Sequence, residues 1–175
     1  MALTGFQKIC QKVTSGIIQI GLIEVADFDS ATLDETPSDN YNTIELATGK
    51  KFKKYQFQEN EAEFQENAAA ENNIISFTKN LIFKLDVMSN DSRAAVSEIA
   101  DASTCGLIAV IKRPGQKVML IGYTEEEKKE RPLKLSATTG TTGKAPSDAQ
   151  GEEITLTCIS AEKSRYYIGD FDALF

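Results

Sequence analysis

The sequence IISFTKNLIFKLDV, residues 74–87, decides the fold class. Its odd-numbered positions are apolar except at Lys79, whereas most of its even-numbered positions are polar. Because successive side chains of a β-strand point to opposite faces, this alternation indicates a strand and not a helix. Fourteen extended residues span ~45 Å, roughly twice an ordinary strand. We therefore predict a long strand in a large sheet or barrel, with its odd-numbered face packed on the core.

Further strands are predicted on both sides of this stretch, where β-branched and apolar residues are concentrated. They cover residues 16–28, 43–47, 105–112, 117–123, 133–137, 153–160 and 166–168, with two exposed strands or a hairpin at 52–58 and 61–67. Gly21 in the first strand indicates a bulge or a close backbone approach. Residues 29–42 and 138–151 are predicted to be polar loops, and RPGQ at 113–116 predicts a hairpin turn.

One helix is predicted at residues 92–102, where Ala95, Ile99 and Ala102 recur at helical spacing after the capping residue Ser89. The chain shows no alternation of strands and helices. These patterns predict a mainly β fold, a β-sandwich or barrel with one short packed α-helix, in a single domain over residues 1–175.

Composition narrows the function further. The formal net charge is −7, which disfavours a module that reads DNA through a basic face, although DNA sliding past an acidic surface remains compatible with it. The chain contains no histidine, the most common general acid or base and metal ligand. We therefore expect no enzyme, no catalytic residues, no cofactor and no metal site. No apolar run approaches the length of a membrane span, and the start lacks the pattern of a secretory signal.

The three cysteines, Cys10, Cys105 and Cys158, are too far apart to predict a disulfide framework or a zinc site. Cys105 and Cys158 lie in apolar runs, so we expect buried free thiols. The segment TTGTTGKA at residues 138–145 imitates a phosphate-binding loop. It lacks the first glycine, the hydroxyl residue after the lysine and a following helix, so nucleotide binding is rejected.

Charge patterning suggests self-assembly. A basic block is followed by an acidic one, and opposite patches on one subunit suit head-to-tail contacts between copies. The candidate assembly residues are Lys50, Lys51, Lys53, Lys54, Glu59, Glu61, Glu63 and Glu66. A soluble surface with no contact role is the alternative interpretation.

The C-terminal half resembles a known family. LIGY at residues 120–123 is followed by acidic TEEE at 124–127, and then by LSATTGTTGKAPSDAQG at 135–151, which leads into EEITLT at 152–157. This layout is similar to that of bacteriophage virion proteins, notably the major tail tube proteins of long-tailed phages. The resemblance covers residues 105–160 best, and no family motif matches the N-terminus.

The resemblance implies a virion structural protein, assembled in the host cytoplasm, whose six-membered rings stack into a tail tube. Inner sheets of neighbouring subunits would join around a lumen through which DNA passes as non-specific cargo. Loops at residues 29–42 and 50–73 would contact the next ring, and other tail or head proteins would be partners. A capsid auxiliary, head–tail connector or baseplate subunit is an alternative, as is a small-ligand-binding β-barrel.

Overall fold

A computed structural model describes residues 15–34, 39–57, 60–115, 117–145 and 148–175. In these ranges the chain forms eleven strands, one α-helix and two short turns of 3-10 helix. The strands are β1 Gln19–Glu24, β2 Phe28–Leu33, β3 Tyr41–Leu46, β4 Lys53–Tyr55, β5 Ala62–Glu71, β6 Ile74–Asp86, β7 Leu107–Arg113, β8 Lys117–Ile121, β9 Lys134–Thr141, β10 Gly151–Ser160 and β11 Arg165–Tyr167. The α-helix, α1, is Asn90–Cys105, and the 3-10 turns are Val25–Asp27 and Asp172–Leu174.

The strands form two sheets. The larger sheet has seven strands in the order β2-β3-β11-β8-β7-β1-β4, and the smaller one has four in the order β5-β6-β10-β9. Every pairing is antiparallel except that of β3 with β11. The mainly β prediction with one helix is therefore confirmed, and the two packed sheets agree with a sandwich-like class.

Strands β1, β7 and β8 are buried on both faces because a hydrophobic core lies on each side of the larger sheet. One core fills the space between the two sheets, where Ile111 of β7 packs with Phe83 of β6, and Ile99 of α1 belongs to the same cluster. The other core contains aromatic side chains of the larger sheet and its neighbouring segments, among them Phe28 and Tyr41. Alternate residues of β7 face opposite cores, which explains its nearly continuous apolar sequence.

The burial predicted for the odd-numbered positions of residues 74–87 is confirmed in the middle of β6 and wrong at its ends. Leu81, Phe83 and Leu85 are buried, whereas Ile75 is 57% exposed and Val87 47% exposed. Ile75 lies beyond β10, the neighbouring strand, whose last residue pairs with Phe77. Val87 follows the strand with a φ of +54°, so the alternation of faces stops there.

The exposed strands predicted at residues 52–58 and 61–67 exist as β4 and β5, but they do not pair with each other. β4 pairs with β1, while β5 forms a long hairpin with β6. Asn72 and Asn73 connect β5 to β6 with φ values of +51° and +63°. Two consecutive left-handed residues define the tight turn that matches strand twist, and asparagine tolerates this conformation well.

The polar loops predicted at residues 29–42 and 138–151 are wrong over much of their length, and the loop that the resemblance implies at residues 50–73 consists largely of the strands predicted there. β2 and β3 pair as a hairpin within the first range, and residues 35–38 lie outside the described part. Residues 50–73 contain β4 and β5, and β9 continues to Thr141 within residues 138–151. These five strands contain polar residues because each lies at or next to a sheet edge, where solvent replaces a core on one side.

The predicted strand at residues 16–28 is interrupted by the 3-10 turn at Val25–Asp27. The close approach expected at Gly21 is confirmed, since a Cβ there would lie 2.6 Å from the Phe175 ring. Glycine therefore lets the C-terminal aromatic ring pack on the backbone of β1.

The observed helix α1 is longer than the predicted range of residues 92–102, and the predicted cap at Ser89 is confirmed. The Ser89 hydroxyl accepts from the Ser92 amide at 3.1 Å, and the Ser92 hydroxyl accepts from the Ser89 amide at 2.9 Å. Gly106, with a φ of +109°, follows the last helical residue. The prediction of a buried Cys105 in a strand is wrong, because that residue ends α1 and is exposed. Cys158 is buried as predicted, and Cys10 lies outside the described residues.

Candidate assembly interface

The smaller sheet presents two long free edges. β5 pairs with β6 on one side, β9 pairs with β10 on one side, and no described strand lies on their other sides. The edge strands have ten and eight residues, respectively. An unpaired edge carries a row of N–H and C=O groups that another strand can bind. Both edges therefore offer backbone hydrogen bonds to a neighbouring sheet.

The β9 edge has few of the features that block pairing between sheets. Residues 135–141, LSATTGT, contain no charge and no proline. A register shift opposite Thr155 and Leu156 separates Leu135 from the rest of the strand. Natural proteins protect exposed edges with lysine, proline, short strands or bulges; β9 has one irregularity, at Ser136, and after Lys134 it has no lysine and no proline. The β5 edge is acidic, with Glu63, Glu66 and Glu71.

The outward face of the smaller sheet is mainly polar. Hydroxyl and amide side chains occupy its middle, and the Thr157 hydroxyl donates to the Asn80 amide oxygen at 2.8 Å. The strand register places four carboxylates and two lysines on this face. These are Glu63, Glu71, Asp86, Glu153, Lys84 and Lys134. The face thus carries an excess of negative charge and exposes hydroxyl groups between the charges.

One lysine lies on the inward face of the same sheet. Lys79 is fully buried, and its Nζ has no hydrogen-bond partner in the described part of the chain. Its cross-strand neighbours are Cys158 on β10 and Glu66 on β5. Burial lowers the pKa of Lys79, and burial raises the pKa of the Cys158 thiol to about 11. The alternation of residues 74–87 identified Lys79 as the one polar residue among apolar ones on its face. The sequence alone does not predict which residues of other strands lie beside it.

The structure distributes the predicted lysine block over several contacts. Lys50 pairs with Asp27 at 3.1 Å, and the Lys51 ammonium donates to the Phe175 carbonyl oxygen. Lys53 and Lys54 are exposed on β4, an edge of the larger sheet. Two of the four lysines are therefore engaged within the subunit, and two remain on a free edge.

The predicted acidic block lies at the β5 edge of the smaller sheet. Glu61 and Glu63 are exposed, whereas Glu66 faces inward and accepts from the Ser164 amide at 2.7 Å. Glu59 lies outside the described residues. The structure thus places Lys53 and Lys54 on an edge strand of the larger sheet, and Glu63 and Glu66 on an edge strand of the smaller one. The free β9 edge was missed in the sequence because its Ser, Thr and Gly residues are typical of loops.

The segment that imitates a phosphate loop begins inside β9. The Asp148 carboxylate accepts from the Lys144 and Ala145 amides, both at 2.8 Å. These two hydrogen bonds lower the pKa of Asp148. The Asp148 carboxylate therefore already accepts hydrogen bonds from two amide groups that a phosphate anion would need.

No group of three or more Cys, Asp or Glu side chains in the described ranges is arranged to hold a metal ion. Nor does the described part contain a helix that is both long and apolar enough to cross a membrane. Comparison with protein-family models, curated proteins and solved structures found no match to the chain.

Proposed function

We propose that this chain is a virion structural protein that assembles into stacked rings, hexameric by analogy with the resembled family, and forms a phage tail tube for the passage of DNA. The role is non-catalytic and takes no cofactor. Its partners are copies of itself and other virion proteins, with DNA as non-specific cargo. The single observation that carries the proposal is the pair of long free edges on the smaller sheet.

Edge pairing between copies supports ring formation. If the β5 edge of one copy pairs with the β9 edge of the next, the contact is head-to-tail and closes into a ring when the rotation per subunit divides a full turn. The acidic β5 edge would then lie against an edge that carries Lys134 and little other charge. The four-stranded sheets become one continuous barrel, which removes every free edge of the smaller sheet.

The outward face of the smaller sheet supports a lumen. In a closed ring the inward face packs against the subunit's own core, as Phe83 and Leu156 do, so the polar face lines the hole. Its excess of carboxylates repels phosphate groups, and its hydroxyl groups offer weak contacts only. DNA can then slide through without binding tightly.

The proposal is tested by determining the size and shape of the purified protein. We expect negative-stain electron microscopy to show rings or tubes, and light scattering to give a mass several times 19.2 kDa. A particle of 19.2 kDa at every concentration would contradict the proposal. Closed rings that never stack would favour a connector or another ring-shaped virion protein instead.

No observation favours the ligand-binding β-barrel. Side chains such as Phe28, Tyr41 and Tyr123 fill the second core, with ring centroids of Phe28 and Tyr123 5.2 Å apart. A ligand-binding barrel needs an interior cavity, whereas these aromatic rings pack against one another.

A further inference from the structure

A notch lies beside the start of β9, where that strand is shorter than its neighbour β10. β9 begins at Lys134, which pairs with Thr157, so no described strand lies beside residues 158–160 on that side of β10. The notch has a volume of about 360 Å³. Ile159 is 52% exposed, so an uncovered apolar side chain faces outward at this place. The described lining of the notch includes Glu130, Arg131, Pro132, Lys134, Thr157 and Ile159.

The β5–β6 hairpin extends furthest at the same end of the sheet. β10 stops at Ser160, which pairs with Phe77, whereas the β5–β6 ladder continues to the pair Glu71 and Ile74. We name residues 68–76 the tip; every residue of it but the last is exposed, and Ile74 is 71% exposed. A two-stranded ribbon without a core is only marginally stable in water. The tip therefore gains stability from a surface that covers its apolar side chains.

Strand direction brings the tip of one copy to the notch of the next copy in the proposed ring. Neighbouring strands of the smaller sheet are all antiparallel, so β9, three strands away from β5, runs opposite to it. Copies related by rotation about the ring axis keep their strand directions along that axis. β5 of one copy therefore passes β9 of the next in the antiparallel sense, with its tip at the Lys134 end.

The register also makes tip and notch level with each other. Ser160 of β10 pairs with Phe77 of β6, and Phe77 pairs with Ala68 at the start of the tip. The stagger that closing a barrel requires shifts this level along the strands but leaves the same ends together. We propose that the tip of one copy packs into the notch of the next copy of the same ring, so that its apolar side chains cover Ile159. The inference rests on the proposed function, because it names a second lateral contact beyond the edge pairing.

Charge fits the same arrangement. Arg131 lies near the level of the tip, because it pairs with Glu127 at 3.7 Å and Glu127 accepts from the Ala161 amide at 3.0 Å. The Arg131 side chain is 64% exposed, and its guanidinium has N–H groups besides the one that faces Glu127. Glu71 is the charged residue of the tip, while Arg131 and Lys134 outnumber the single carboxylate in the described lining of the notch. A second copy thus offers the notch both an apolar surface and a carboxylate.

The first test compares Ile159→Asp with Ile168→Asp by sedimentation velocity, with circular dichroism to check folding. Both isoleucines are exposed, at 52% and 54%, but Ile168 follows β11 in the larger sheet. We expect Ile159→Asp to raise the concentration needed for ring formation about tenfold or more, because a charge replaces an apolar contact that the ring buries. Ile168→Asp should assemble like the wild type. Equal assembly of the wild type and a folded Ile159→Asp would overturn the notch contact and leave the pairing of β5 with β9 intact.

The second test exchanges charges. Glu71→Arg and Arg131→Glu should each weaken ring formation about threefold or more, and the double variant should recover it, because the pair is restored with opposite polarity. Glu63→Arg combined with Arg131→Glu is the matched control and should show no recovery, since Glu63 lies near the other end of β5. Single variants that assemble normally, a Glu71 and Arg131 double variant no better than the singles, or equal recovery in the control would overturn the assignment. Wild-type protein that forms no rings would instead overturn the proposed function, and this inference with it.

Discussion

Lys79 is a basic residue in an apolar environment. It is fully buried on the core face of β6, and its ammonium lacks a hydrogen-bond partner in the described residues. Leaving a buried polar group unpaired costs about 1–3 kcal/mol, and more when the group is charged. We therefore expect Lys79 to lower the stability of the subunit at neutral pH.

We expect Lys79→Met to raise the free energy of unfolding at pH 7 by about 1–3 kcal/mol. Because burial lowers the folded-state pKa of Lys79, the unfolded chain binds more protons between that value and 10.5, and stability rises with pH in this range. The gain from Lys79→Met should therefore shrink as the pH rises.

Urea denaturation at pH 7 and pH 8.5 checks this expectation. Both pH values lie below the ordinary pKa of the neighbouring Cys158 thiol. Lys84→Met is the matched control, since Lys84 lies on the outward face of the same strand. It should change the unfolding free energy by no more than about 0.5 kcal/mol. Destabilisation by Lys79→Met would show that the ammonium has a favourable partner after all.

Single residues also show where sequence reasoning succeeds. Phe83 and Leu85 were assigned to the core from alternation alone, because a period of two is a local property of the strand. Ile75 was assigned to the same face and is exposed, because burial depends on whether a neighbouring strand extends that far. Local pattern gives the facing of a side chain, and tertiary pairing decides whether that face is covered.

At the scale of elements, the β9 edge is decisive for the proposed ring. We expect Ala137→Glu to weaken ring formation about tenfold or more, since it adds a carboxylate to an edge that would meet the acidic β5 strand. The fold should be unaffected, because Ala137 is exposed. Sedimentation velocity and circular dichroism measure the two effects.

Thr78→Asp provides the comparison for this variant. It adds a negative charge to the same outward face, but on β6, an interior strand of the sheet. Rings should form normally with Thr78→Asp. If both variants assemble equally well, β9 is not a ring contact.

Elements differ in how clearly the sequence defines them. The cap Ser89 and the Pro-Gly turn between β7 and β8 were predicted, because caps and turns depend on nearby residues. The strand β9 was predicted too short, because its Thr and Gly residues fit a loop equally well until β10 pairs with them. The division of the strands into two sheets required pairing information that no local pattern contains.

At the scale of the whole molecule, charge is expected to tune assembly. Lys53 and Lys54 are the two lysines of the basic block that lie on a free edge. We expect the double variant Lys53→Gln, Lys54→Gln to weaken assembly a few-fold at low salt and to reduce its salt dependence, because exposed charges are screened by ions.

Light scattering across a salt series measures this effect. The matched control is Lys117→Gln, Lys128→Gln, which removes the same charge from exposed positions elsewhere. If assembly of both double variants and of the wild type depends on salt in the same way, the basic block has no contact role and is only a soluble surface.

The central claim is that β5 and β9 pair between copies, and hydrogen–deuterium exchange tests it most directly. Free edge amides exchange quickly, whereas amides in a continuous sheet are protected. Exchange should be followed by mass spectrometry in dilute protein and in the sedimenting assembly. We predict that peptides covering Ala62–Glu71 and Lys134–Thr141 gain protection on assembly, while Gly151–Ser160 changes little. Unchanged exchange in both edge strands would contradict the claim.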